Sequence, residues 1–217
     1  MIRKPDSLYT QHWLGAIGAF TVFFGSSVFA QSESVVSAAG EAAESVVEQL
    51  LGTFVDAAQL SDVAARVEFL NEPILSSHDL DYIGQLSVRR QWREWTEEQR
   101  QQFLAAFREL SVMNYAARFA GVGENSFEVL GTQPAGGSRV QVNASVARSD
   151  GSRVPLDFIM QNADDHGWHI ANVVADGVSD LALKRAEYSS ILRDSGFEGL
   201  IDELEAQTAE LAESASD

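Results

Sequence analysis

After Gly121 and Gly123 the apolar residues of this chain change their spacing from helical to alternating, a switch from a period of about 3.6 to about 2 that restricts the fold more than any other feature. Before it, Val46, Val47, Leu50, Leu51 and Phe54 recur at three- and four-residue spacing between Glu41 and Ala58, which predicts an amphipathic helix. A second helix is expected from Asp62 to Leu70, broken near Pro73, and a third from Asp79 to Arg90 carrying Leu80, Ile83 and Leu86. Thr96-Glu97-Glu98-Gln99 matches a capping box and opens a fourth, with Phe103, Phe107 and Leu110 along one face. After the switch, Phe127 and Val129 alternate with polar neighbours, as do Val140, Val142, Ala144 and Val146, then Val154, Leu156, Phe158 and Met160, and finally Trp168 to Ala175. These predict four strands. The stretches between them, Pro134-Ala135-Gly136-Gly137, Asp150-Gly151 and Asp164-Asp165-His166-Gly167, carry turn chemistry. Short connections make successive strands antiparallel neighbours in a meander with one apolar face. The chain closes with helix from Leu181 to Asp194, an interruption at Gly196, and helix from Glu198 to Ala212, while 31–40 and 213–217 are expected to fray. Helices, then sheet, then helices predict an α+β domain with the helices stacked on one face of the sheet.

The first thirty residues read as an export signal. Arg3 and Lys4 form a basic start, Trp13 to Gly25 is an apolar run, and Val28-Phe29-Ala30 offers small residues for cleavage after Ala30. The competing reading, a membrane anchor, meets a length problem: such a run makes about 20 Å of helix against a roughly 30 Å hydrocarbon core. Residues 31–217 are enough for one domain with a sizeable core. There is no cysteine, so disulfides, thiolate chemistry, Cys-ligated metal and a lipidated N-terminal cysteine are all excluded.

Residues 31–217 hold thirteen basic and thirty-one acidic side chains, a net charge of −18, with Lys184 as the only lysine. A surface of that sign repels nucleic acid, so no nucleic-acid partner is expected. Acidic, lysine-poor surfaces also keep a protein soluble where salt screens repulsion, which implies a saline habitat. Greater stability in molar salt than in dilute buffer is the expected result.

Candidate sites are few. Glu97 and Glu98 sit at the positive end of a helix dipole. As consecutive helical residues they diverge by about 100°, which does not suit a catalytic pair. Trp92 and Trp95 are expected to pack where this helix begins. His166 and His169 lie across a turn without a third ligand, so no metal is expected. No G-x-S-x-G elbow occurs, and Gly121-x-Gly123 lacks the third glycine of a dinucleotide fingerprint, so no cofactor is expected either. Arg89, Arg90, Arg93, Arg100, Arg108 and Arg118 gather six basic residues within thirty positions. They form either a solvated helix face or a patch for an anionic head group or docking partner.

The order Trp92-Arg93-x-x-Thr96-x-x-Gln99-Arg100-x-x-Phe103-x-x-x-Phe107, then Tyr115, a meander ending in Trp168, Asp176-Gly177-Val178-Ser179, and Leu192-Arg193-x-x-Gly196-Phe197-x-Gly199-Leu200-Ile201 resembles the MlaC family of toluene-tolerance auxiliary proteins. The resemblance runs from Val46 to Leu204. It implies a soluble, monomeric periplasmic carrier with no catalytic residues, holding a phospholipid in an apolar cavity between helices and a curved four-stranded sheet, an NTF2-like cone. Its implied partners are an outer-membrane lipoprotein–porin complex and an inner-membrane ABC transporter with an MCE-domain subunit.

The residues expected to line such a cavity are Phe54, Phe103, Phe107 and Leu110 from helices, Val140, Val142, Val146, Val154, Leu156, Phe158 and Met160 from the central strands, and Trp168. Each of them could equally be ordinary core, because spacing does not separate a side chain facing a void from one facing a neighbour. Arg89, Arg90 and Arg93 are the expected head-group or docking patch. Two other readings stay open: an enzyme on a cone-shaped scaffold, with Asp157 or Tyr115 moving a proton on an apolar substrate, and a scaffold or holdase without a small ligand.

Overall fold

In the computed structural model the first apolar seam forms one side of α1 (Ser26–Ala57), where Ala43, Val47, Leu50, Leu51, Phe54 and Ala57 are all buried. The structure describes residues 26–119, 122–123, 126–147, 151–162 and 167–215, with side chains from residue 38 onward. The expected basic and apolar parts of the signal, Gly121, Asp150 and the Asp164-Asp165-His166 stretch lie outside the described residues. Among the described residues α1 extends N-terminally past the expected start at Glu41 as far as Ser26, so residues 31–40, expected to fray, are helical and the expected cleavage point after Ala30 falls within α1.

The second helix, α2 (Val63–Ser77), is capped by Asp62, whose carboxylate accepts from the backbone N–H groups of Ala64 and Ala65. It passes through Pro73 rather than breaking there. Leu70, Ile74 and Ser77 are buried on one face, so packing on both sides of the proline offsets the backbone bond that it removes. The third, α3 (Leu80–Glu94), runs past the expected end at Arg90 but breaks at Arg89, where φ is 27°. The Arg185 guanidinium donates to the Leu86 carbonyl at this break, at 2.9 Å. The fourth, α4 (Glu97–Arg118), opens on the expected box: Gln99 N–H donates to Thr96 Oγ1 at 3.3 Å and Thr96 N–H to Gln99 Oε1 at 3.1 Å. It packs close to α3, since a Cβ on Gly84 would lie 3.0 Å from Leu104 Cδ2 and 3.3 Å from Phe107 Cδ1.

The strands are β1 (Phe127–Pro134), β2 (Val140–Ala147), β3 (Arg153–Asn162), β4 (Trp168–Ala175) and β5 (Val178–Ser179), each paired antiparallel with its successor. The expected four strands are therefore five. Asp176 and Gly177 both have positive φ, 52° and 77°, as a two-residue type I′ hairpin requires; the turn returns Val178 beside Ala175. A strand of two residues has no period to read, so alternation along the sequence does not reveal it. Register shifts between Val129 and Gly131 and between Ile159 and Met160 interrupt the ladders, and bulges of this kind curve a sheet.

One face of β2 and β3 is buried, with Val140, Val142 and Ala144 opposite Met160, Phe158 and Leu156. Against it lies α1, which crosses β1 and β2 and reaches β4, while α2, α3 and α5 (Asp180–Ser214) also meet β4. The last helix breaks at Gly196, as its sequence predicts, with φ of 71°. The α2–α3 corner is tied to the sheet by the Asp79 N–H, which donates to the Ile170 carbonyl at 3.0 Å.

Candidate functional site: an apolar cavity with a polar end

The buried sheet face is not filled along its whole length. Where Val146 pairs with Val154, Leu156 with Ala175 and Phe158 with Val173, these six side chains floor a cavity of about 460 Å³. The roof comes from Phe54 of α1, Leu80 and Ile83 of α3, and Phe107 of α4. Close-packed interiors hold few voids larger than a water molecule, and ligand pockets occupy roughly 300–1,000 Å³. This space is therefore a pocket rather than a packing defect.

Six of the twelve expected lining residues are in its wall: Phe54, Phe107, Val146, Val154, Leu156 and Phe158. The other six are placed elsewhere. Val140, Val142 and Met160 lie at the filled end of the same sheet face, and Leu110 is core. Phe103 is fully buried among Phe107, Trp95 and Tyr188, with ring centroids at 5.7, 5.2 and 6.3 Å. Trp168 is half-buried at the start of β4, beside Asn162. Trp95 also meets Phe197 edge-on at 5.0 Å, and Arg100 lies over Trp92, so the two tryptophans pack where α4 begins, as expected.

Of the polar residues of the wall, sequence reasoning names as candidates Arg118, among the six clustered arginines, and Tyr115, but none of the others. Ser111, Asn114 and Arg118 come from α4, Asn172 from β4, Asp180 and Lys184 from the first turns of α5, and His78 from the α2–α3 corner. Arg118 is exposed and the Asp180 side chain is 46% exposed, so the cavity opens to solvent at this end. Helical spacing signals the α4 set in retrospect, since Ser111, Asn114 and Arg118 continue the face begun by Phe107. Arg118 and Lys184 are the cations of the wall; Arg89, Arg90 and Arg93, the expected patch, are not part of it. Arg90 instead pairs with Glu94 at 3.2 Å on the solvent side.

Within the wall, His78 Nε2 lies 2.8 Å from the Tyr115 hydroxyl, and Nδ1 lies 2.9 Å from Ser77 Oγ and 3.2 Å from the Ile74 carbonyl. Ser77 Oγ already donates to the Pro73 carbonyl at 2.6 Å. The proton therefore sits on Nδ1, and Nε2 accepts from Tyr115. Burial lowers the His78 pKa to about 4 and pushes that of Tyr115 up, so the pair is neutral at ordinary pH. Phe54 stacks on Tyr115 at 5.1 Å and on Phe119 at 4.6 Å, closing this wall with three rings. Asp157 is on the opposite face of the sheet, accepting from Asn143 Nδ2 at 2.8 Å. Among the described residues no group of three or more His, Cys, Asp or Glu side chains could hold a metal ion.

A pH dependence follows from His78. Its folded pKa of about 4 lies below the ordinary 6.5, so between these values the unfolded chain takes up a proton that the folded one refuses. The stability is present in full above pH 6.5 and falls as the pH drops towards 4. The protein should lose up to about 3 kcal/mol more than His78→Gln across that window, measured by urea denaturation of both at each pH.

A family model described as MlaC protein matches residues 44–206. Among solved structures, a phospholipid-binding protein from Ralstonia solanacearum, determined in complex with a phospholipid, has the same fold: TM-score 0.68 at 21% identity, covering 78% of this chain and 98% of that one.

Proposed function

The chain belongs to the MlaC family, and from that premise we propose that it is a phospholipid carrier whose acyl chains occupy the cavity between α1, α3, α4 and the sheet. The observation that carries this reading is the cavity itself, about 460 Å³ with an apolar body and a polar, open end. A phospholipid has the same division. Its two chains bury roughly 30 methylenes at about 0.8 kcal/mol each, of order 24 kcal/mol, so it does not cross water unaided. A carrier must imitate the bilayer interior while leaving the head group wet. Supporting the assignment, the solved relative of the same fold was determined with a phospholipid.

The finer parts of the proposal follow from the family. The protein is exported to the periplasm with residues 1–30 removed, and residues 31–217 act as one monomeric domain. It exchanges lipid, while docked, between an outer-membrane lipoprotein–porin complex and an inner-membrane MCE-type ABC transporter. No catalysis is required. The geometry supports this over proton transfer, because Asp157 faces away from the cavity and the Tyr115 hydroxyl is held by a neutral imidazole. Native mass spectrometry of protein expressed in bacteria tests the carrier: phospholipid should remain bound through gentle purification, and recovery of bare protein alone would refute it.

A further inference from the structure

We propose that Lys184 is the phosphate-reading residue of the cavity, its ammonium donating to the phosphodiester of a bound lipid while Asp180 holds it in position. The proposal rests on the carrier reading and deepens it, by naming what distinguishes a phospholipid from a phosphate-free diacyl lipid.

Lys184 Nζ lies 2.9 and 2.8 Å from the two oxygens of Asp180. An ammonium has three donors, and the third has no acceptor among the described residues. Ion pairs at this helical spacing are common on solvated faces and contribute little there; Arg90 and Glu94, with side chains 86% and 62% exposed, are of that kind. The Lys184 side chain is only 19% exposed and belongs to the wall of an apolar cavity that Phe107 and Val173 also line. A lysine so placed can add its methylene stem to the apolar surface, while its charged head is held by the half-exposed Asp180.

Residue type carries the argument further. Every other basic residue after Lys4 is an arginine. A guanidinium beside Asp180 would lock onto the carboxylate as a planar fork, whereas an ammonium is a point charge that turns its donors between two acceptors. Lysine at this one position can therefore keep Asp180 and take a phosphate oxygen as well. Arg118, exposed on the same cavity, has no hydrogen-bond or ion-pair partner among the described residues and supplies a second cation. Asp180 and Arg118 both lie close enough to Tyr115 to bear on its hydroxyl, which puts the three charges around one end of the cavity.

The test offers the protein vesicles of dioleoylphosphatidylcholine and dioleoylglycerol in equal amounts and counts the lipids retained by native mass spectrometry. Wild-type protein should favour the phospholipid. Lys184→Gln should still retain lipid, with the ratio of phospholipid to diacylglycerol lowered about tenfold, and Lys184→Arg should restore part of the preference. Both proteins meet the same vesicles, so the comparison cancels any difference in how readily each lipid leaves the bilayer. Should Lys184→Gln fail to fold, acetylating the folded wild-type protein neutralises the same amine, the other reactive amines being only Lys4 and the N-terminal amino group, and should lower the ratio equally. An unchanged ratio with lipid still bound overturns the role of Lys184 and leaves the carrier standing; no lipid of either kind overturns both. Competition by glycerophosphocholine at equal concentration would make this a site for soluble phosphate esters and overturn the lipid assignment.

Discussion

Leu156→Arg protein should emerge from gentle purification folded and without phospholipid. Leu156 floors the cavity midway along β3, opposite Ala144 on one side and Ala175 on the other. An arginine there can lay its stem along the apolar wall and reach water through the open end, so the fold is retained. Its guanidinium, however, occupies the space that acyl chains need. Bringing a chain past it would strip water from an unpaired charge, which costs several kcal/mol. Lipid retained per protein molecule, read by native mass spectrometry, should fall at least tenfold. The same substitution at Val142 should behave differently. Val142 is fully buried at the filled end of the sheet, so a charge there has no path to solvent and should unfold a domain whose total stability is of order 5–15 kcal/mol. A folded Leu156→Arg protein with normal lipid content would show that acyl chains do not use this cavity.

The second large effect is expected at Arg66, which is buried near the α2 N-terminus and gathers the ends of three helices. Its Nε donates to the Ala116 carbonyl in the last turn of α4 at 2.9 Å, and Nη1 donates to Leu60 and Ser61, just after α1, at 2.9 and 3.3 Å. Nη2 donates to Ala215 at the end of α5, at 3.3 Å. Carbonyls at helix C-termini lack intrahelical partners and carry the negative end of the dipole. A buried guanidinium satisfies several of them at once. Arg66→Met keeps the bulk but strands these acceptors, and should cost about 3–5 kcal/mol in urea denaturation. Arg66→Lys should recover only part, because an ammonium lacks the planar fork that reaches separate carbonyls together.

Arg66 also shows what spacing along a chain does not carry. It interrupts the apolar pattern of α2, and nothing local distinguishes it from a solvated arginine; its acceptors lie as far away as residues 116 and 215. The Thr96–Gln99 box, the alternation of β2 and β3, and the break at Gly196 were legible because each is set by neighbours within a few residues. Pro73 predicts a helix end, but burial of Leu70 and Ile74, a tertiary effect, outweighs that local preference. Closeness in sequence points to Arg89, Arg90 and Arg93 as a head-group or docking patch, whereas the charged end of the cavity is assembled from Arg118, Asp180 and Lys184 on two helices.

By itself the sequence determined the order of the helices and of the first four strands, the antiparallel meander and which face of β2 and β3 is apolar, since these depend on periodicity and turn chemistry over short stretches. It also carried the family, through the spacing of Trp92, Thr96, Phe103, Phe107 and the Asp176-Gly177-Val178-Ser179 turn. Only the tertiary structure decided that Leu156 and Phe158 wall a void while Val142 and Met160, on the same face of the same two strands, are sealed in the core. All four obey one alternation. What separates them is whether a helix from elsewhere in the chain fills the space above, and that depends on how the sheet curves and how the helices cross it.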